Sequence, residues 1–437
     1  MCIRDSLQGG TARVNIQREK PPGERPAPTK PYPGLTIEFR NAQVEKIDEM
    51  IFNDLSVSGG ETRAIGSASM TIRGDKVIEL VDAEWINADV KFQDKEFTDT
   101  MNFAFKGSMD AFNPREQTGL EMVAKLTANA QIDGHVGTLR PLKVFFAGTP
   151  WIKEIDGSGT LDLDLEIEQG KLSQGSKMDI IADSLRAEFL GYEASGKGEV
   201  KGNVDREGEL RLGNMDIVFN EFDMKRLGTE TTLVRGEGLS LVTRSSDLGD
   251  LQTIQDLVVI LDIPNSQYPD ITVLDDHLPP SLGIDITDGS AFLEGRLEAH
   301  RKTREASGYF NLLGNGLKGR FRDTEFSMDM QLESQLSGQR LDDLVINLEG
   351  TRMQLFNGTF NSDEVDVDDK WWMTVSVPQG QADLSKPFDF EADVEMEMKD
   401  TRAIIALFSE INAWVGRFDG FLTVNDLAGS ATLIGAE

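Results

Sequence analysis

Three histidines, one cysteine and 75 carboxylates are what this 437-residue chain offers first for acid–base, thiol or metal chemistry. His135, His277 and His300 stand far apart, and none has a neighbour at metal-ligand spacing or a triad-like setting. Paired carboxylates can divide the roles of general acid and general base, but only when their environments differ. With so many acids in the chain, any close pair is uninformative. Gly314-Asn315-Gly316-Leu317-Lys318-Gly319 has the glycine spacing of a phosphate-binding loop. Such a loop must open a helix whose first N–H groups face the phosphate, whereas Phe321 to Met330 alternate as a strand. The Asp363 to Asp369 run offers oxygen ligands for Ca²⁺, yet it lacks both EF-hand spacing and the Gly-Gly-x-Gly-x-Asp repeat, so a solvated loop is expected. Asn357-Gly358-Thr359 fits the glycosylation acceptor pattern, a short match that chance often supplies. The residues point away from an enzyme and call for no cofactor and no metal.

The acids alternate with apolar residues instead. From Thr160 to Glu168, Leu161, Leu163, Leu165 and Ile167 are interleaved with Asp162, Asp164, Glu166 and Glu168. Successive strand side chains point to opposite faces, so this stretch has one aliphatic face and one anionic face. A one-residue slip would bury four carboxylates, which fixes the register. Leu257, Val259, Leu261 and Ile263 repeat the apolar half of the pattern. Phe390, Ala392, Val394, Met396 and Met398 do so again, opposed by Asp389, Glu391, Asp393, Glu395 and Glu397. Asp156-Gly157-Ser158-Gly159, just before the first of these strands, reads as a turn.

That turn recurs at a fixed interval. Asp288-Gly289 follows Asp156-Gly157 by 132 residues, and Asp419-Gly420 follows by a further 131. The residues between keep the offset: Leu185 to Phe189 precede Leu317 to Phe321 by 132. Leu126, Ala128, Ala130 and Ile132 precede Leu257, Val259, Leu261 and Ile263 by 131, and these precede Phe388, Phe390, Ala392 and Val394 by another 131. A constant period with conserved alternation marks a repeated structural unit. The expected organisation is a non-native start, the end of a preceding unit and a Pro-rich loop over 1–33. Units then follow over 34–155, 156–287 and 288–418, with a fourth beginning at 419–437. Each unit closes with a crossing segment. Val136 to Ile152 and Tyr268 to Ile284 carry prolines and should hold at most one helical turn. Asp400 to Val415 places Ile404, Phe408 and Ile411 on one stripe and predicts a helix packed on the sheet.

The formal charge of −31 makes nucleic acid or an anionic membrane surface a poor partner. Because the acids alternate with apolar residues, a solvated strand face accounts for most of that charge. A single Cys2 excludes a disulfide framework. No run of 18 apolar residues is present to span a membrane as a helix. Met1 to Ser6 and Glu437 read as cut ends, so an anchor or signal could lie outside this stretch.

The alternating strands, the crossing segments, and the run from Leu257-Val258-Val259-Ile260-Leu261-Asp262 through Leu278-Pro279-Pro280 to Ile286-Thr287-Asp288-Gly289 resemble the AsmA-like superfamily of bacterial envelope proteins. That superfamily includes the TamB, YhdP and YdbH relatives, with the YdbH-like branch nearest. The resemblance covers Gly34 to Glu437. It implies an all-β, elongated groove of stacked antiparallel strands, roughly five per unit, with short crossing loops or helices. It also implies phospholipid transport between inner and outer membrane, in a periplasmic protein anchored in the inner membrane by a part not in this stretch. Acyl chains would then be the partner, and the alternating residues named above would line the groove. The same residues could instead form a packed sandwich core, or a structural or adhesive β-solenoid. A closed solenoid has coils of about 20 to 30 residues, far below the period found here.

Overall fold

The computed structural model describes residues 11–16, 36–44, 46–52, 55–71, 75–92, 95–113, 116–117, 120–146, 149, 151–207, 210–245, 256–273, 284–321, 324–340, 345–361, 366–383, 389–399, 415–422 and 426–435. The strands begin with β1 Thr11–Ile16, β2 Thr36–Val44, β3 Lys46–Phe52, β4 Leu55–Ser58, β5 Glu61–Thr71, β6 Lys76–Phe92, β7 Lys95–Phe112 and β8 Leu126–Val136. They continue with β9 Ile152–Glu168, β10 Lys171–Leu172, β11 Lys177–Phe189, β12 Tyr192–Glu207, β13 Leu210–Arg226, β14 Thr232–Gly236, β15 Leu239–Ser245 and β16 Leu257–Gln267. The remainder are β17 Ile284–His300, β18 Glu305–Phe321, β19 Thr324–Arg340, β20 Val345–Asn347, β21 Thr351–Asn361, β22 Asp366–Asp383, β23 Asp389–Lys399, β24 Val415–Leu422 and β25 Asp426–Gly435. Helix among the described residues is confined to Leu120–Val123, a 3-10 helix at Arg140–Phe146 and a 3-10 turn at 271–273.

All 25 strands join one sheet. From β6 to β23 it is an antiparallel meander in which each long strand is bonded to its predecessor and its successor. Short strands lie end to end where one long strand would otherwise run: β4 with β5 along β6, and β14 with β15 between β13 and β16. β1 and β3 pair in parallel. Beyond β23 the order changes, because β23 pairs β25 and β25 pairs β24.

The repeat survives in the pairing register. Leu161 pairs Ile180, and Ile180 pairs Val200; at 132 residues on, Leu293 pairs Leu312, and Leu312 pairs Leu332. Ala128 pairs Ile167, and their counterparts Val259 and Ala299 pair as well. The second and third units each supply six rungs rather than roughly five. In the second, Thr232 to Ser245 makes the additional rung, interrupted before β15 by Gly238 at φ 81.

The Asp-Gly dipeptides are not turns between strands. They lie inside β9, β17 and β24, so unit boundaries drawn at Asp156, Asp288 and Asp419 cut strands. Asp156 Oδ1 accepts the Gly157 N–H at 2.8 Å, and Asp288 Oδ1 accepts the Gly289 N–H at 2.8 Å. Gly157 has φ 146 and Gly289 has φ 129, and the register shifts beside both. A short acid that captures the next N–H, followed by a residue free to adopt positive φ, sits beside a bulge in each case; the unpaired extra residue is Asp183 of the partner strand β11 in the first and Thr287 of β17 in the second.

The other local expectations divide. Gly314 to Gly319 lies within β18 and opens no helix, while the stretch Phe321 to Met330, expected as one strand, is divided between the end of β18 at Phe321 and the start of β19 at Thr324. Asn357-Gly358-Thr359 lies within β21, and the Asn357 amide donates to Asp329 Oδ2 at 2.7 Å. Asp366 to Asp369 open β22 rather than a loop, while 363–365 lie outside the described residues. The first crossing segment holds a seven-residue 3-10 helix, about two turns and longer than its prolines suggested. Of the helix expected over Asp400 to Val415, residues 400–414 lie outside the described residues, and Val415 opens β24 instead.

The hydrophobic core runs as one cluster from Val57 on β4 to Ala306 on β18. Ile217, Phe219, Leu239 and Leu241 are each 0% exposed. One sheet without a helical layer reaches such burial only by curving over its own inner face. Mid-strand register shifts at Ala182/Leu185, Lys197/Gly198, Ile263/Ser266 and Gly314/Leu317 supply the curvature, since each bulge bends its strand. Leu139, Leu142, Phe146 and Trp151 of the first crossing segment complete this core.

Candidate functional site

Residues directly opposite each other in a sheet share a face. Leu161, Ile180, Val200, Ile217, Leu241 and Leu261 are linked by direct pairing from β9 to β16 and form one unbroken apolar row. The third unit builds the equivalent row from Leu293, Leu312, Leu332, Met353, Val375 and Met396. Leu261 also pairs Leu297, which stands on the Leu293 side of β17, so the two rows occupy one continuous face. The first row is buried throughout, whereas every member of the second is only half-buried. The inner face is therefore closed along β9–β16 and more open along β17–β23.

The residues expected from alternation fall on this face. Leu161, Leu257, Val259, Leu261, Ala392, Val394 and Met398 are buried, and Leu163, Leu165, Ile167, Ile263 and Met396 are half-buried. The Phe390 side chain lies outside the described residues. One alignment is corrected: a fixed 131-residue offset matches Leu261 with Ala392, but the ladder places Met396 at its level, opposite Val375. Alternation alone does not mark the middle of the second unit's row. In β12, inward positions such as Gly196, Gly198 and Gly202 carry no side chain, and in β11 the exposed Ile181 interrupts the alternation.

A hollow of about 190 Å³ opens on the inner face, lined by Leu163 and Leu165 of β9, Met178 of β11, Met215 of β13 and Leu257 of β16. Strands several rungs apart thus meet around one apolar space. The hydroxyl residues Ser176, Thr243 and Ser245 also line it and are buried. At the start of the second crossing segment, burial pushes the Tyr268 hydroxyl up to about 12, so it stays neutral beside Tyr192.

Apart from exposed apolar side chains such as Ile181, the outer face is largely polar. Asp162 and Asp164 are exposed, Gln131 donates to Asp164 at 2.9 Å, and Asn129 donates to Glu166 at 3.0 Å. Arg186 bridges Glu154 at 3.0 Å and Glu193 at 2.9 Å and also meets Glu188, tying three strands together. A wider hollow of about 450 Å³ on this side is ringed by Asp183, Lys197, Glu221, Asp223, Arg235 and Glu237, with Arg235 held by Asp223 at 2.6 Å. Its charged rim suits water rather than hydrocarbon.

Among the described residues no group of three or more His, Cys, Asp or Glu side chains could hold a metal ion. His135 is exposed, His300 lies 3.1 Å from Glu298, and His277 lies outside the described residues. No helix among the described residues is long and apolar enough to cross a membrane. No protein-family model, curated protein or solved structure matches this chain.

Proposed function

We propose that this chain is part of a conduit for phospholipid between two membranes, with acyl chains lying along the inner face of the sheet. The observation that carries the reading is the pair of equivalent apolar rows on one continuous face, with the hollow beside Leu163. Each CH₂ moved from water onto such a surface gains about 0.8 kcal/mol whichever residues supply it. The attraction is non-directional, so a chain can slide from one unit to the next. The anionic outer face repels phosphate headgroups and favours keeping them at the open side of the sheet. A periplasmic setting, with inner-membrane anchoring and contacts to both membranes through other parts of the protein, accords with this role.

A photoreactive residue at Leu163 should crosslink phospholipid when the protein is extracted under native conditions. Crosslinks only to protein would count against the conduit. A second reading is favoured by the complete burial of Ile217, Phe219, Leu239 and Leu241: the repeats are packed shut and serve a structural or adhesive role in the envelope. Under it, Leu163→Asp should abolish the β signal in circular dichroism, because a buried unpaired carboxylate unfolds its unit. Under the conduit reading that variant stays folded and loses lipid.

A further inference from the structure

The third unit differs from the second in one systematic way. Met330, Met353, Met373 and Met396 occupy the ladder positions held one unit earlier by Gly198, Ile217, Leu239 and Leu261. Met398 pairs Met373 directly, and Met328 joins them against Phe326 and Phe360. Six of the chain's 15 methionines thus share one face of β19, β21, β22 and β23. Met328, Met330, Met353 and Met396 are half-buried, while Met373 and Met398 are 8% and 1% exposed. The methionines of the closed core, Met101, Met215 and Met224, are 3%, 2% and 4% exposed, and among the second unit's methionines only Met178, at the hollow beside Leu163, is half-buried on the inner face.

We propose that this methionine cluster is a modification site for two-electron oxidants of the peroxide class, and that its sulfoxidation makes this stretch of the inner face repel hydrocarbon. The second half of the inference rests on the function proposed above. In the reaction the thioether sulfur attacks one peroxide oxygen, the O–O bond breaks, and that oxygen stays on sulfur. The other oxygen leaves as hydroxide and takes up the proton released from the transferred oxygen, giving water. Sulfur is oxidised by two electrons and peroxide is reduced by two. The product is a polar, chiral sulfoxide in place of an adaptable apolar side chain. A sulfoxide oxygen facing acyl chains has no donor to bind, so hydrocarbon is excluded.

The test treats the full chain with graded hydrogen peroxide, locates each added oxygen by peptide mass, and follows binding of the fluorescent hydrocarbon diphenylhexatriene. Met328, Met330, Met353 and Met396 should gain oxygen before Met215, Met224 and Met398. Probe binding should fall about tenfold and return after treatment with methionine sulfoxide reductases. In a Met178→Leu background, which removes the one half-buried methionine at the hollow, a variant carrying Met328→Leu, Met330→Leu, Met353→Leu and Met396→Leu, compared with itself before peroxide, should show no such fall, while the background alone should still show it. Oxidation of the core methionines first, or an equal fall in the Leu variant, overturns the proposal. If neither protein binds the probe before peroxide, the hydrocarbon reading fails, and the order of oxidation still decides whether this is a modification site.

Discussion

Asp156 and Gly157 carry information that their sequence spacing conveyed only in part. Burial pushes the Asp156 carboxyl up, but the Thr138 hydroxyl and Arg140 Nε, each at 2.8 Å, together with the Gly157 amide, outweigh it and hold the group below the usual carboxylate range. A folded-state value below the unfolded one, about 3.9, means stability that is present above that pH and lost as pH falls through the folded value. Asp156→Asn should therefore cost about 1 kcal/mol near neutrality in urea unfolding, with the difference from the native chain shrinking below about pH 4. The neighbouring glycine is more constrained. A Cβ on Gly157 would sit 2.1 Å from the Ser184 carbonyl oxygen, in addition to the φ of 146. Gly157→Ala should lose about 2 kcal/mol or more, against about 1 for Gly191→Ala, where φ is 86 but nothing lies within 4 Å. Comparing the two urea midpoints separates collision from backbone strain. The Asp-Gly recurrence was legible in the sequence. Its form was not, because the same dipeptide suits a hairpin turn or a bulge, and only the partner strand decides between them.

Strands were legible where acid and aliphatic residues alternate, as in β9 and β23. The level at which they meet was not legible. Alternation has period two, so moving a strand by four residues changes no face, and Leu261 could be matched with Ala392 as readily as with Met396. Hydrogen-bonded neighbours fix that choice, and the intervening rungs β11 to β15, with inward glycines and interrupted alternation, hid the neighbours. The equivalent positions nevertheless differ in energy. Ile217 is fully buried, and its counterpart Met353 is half-buried. Ile217→Ala should cost about 4 kcal/mol, near the top of the range for emptying a closed core, while Met353→Ala should cost about 1 to 2. Chemical unfolding measured on both variants checks this. Equal losses would mean that the two rows are packed alike and that the inner face has no open end.

At the scale of the molecule, the repeat predicts that a whole unit can be removed. β9 and β17 are each 17 residues long and begin 132 residues apart. β8 meets β9 in the same register as β16 meets β17, since Ala128–Ile167 and Val259–Ala299 are equivalent pairs. Deleting 156–287 joins Ile155 to Asp288 inside a strand of unchanged length. Ala128 then meets Ala299, and the far edge of the hybrid strand meets β18 as β17 does now. A meander whose units touch mainly their neighbours should accept this as one fewer unit, not as a broken core. Six rungs at about 4.8 Å remove roughly 29 Å of sheet. The shortened chain should keep its β circular dichroism and a cooperative melt, and small-angle scattering should report a maximum dimension smaller by about that amount. An unfolded or aggregated product would show that the buried row of the second unit and the half-open row of the third cannot replace one another.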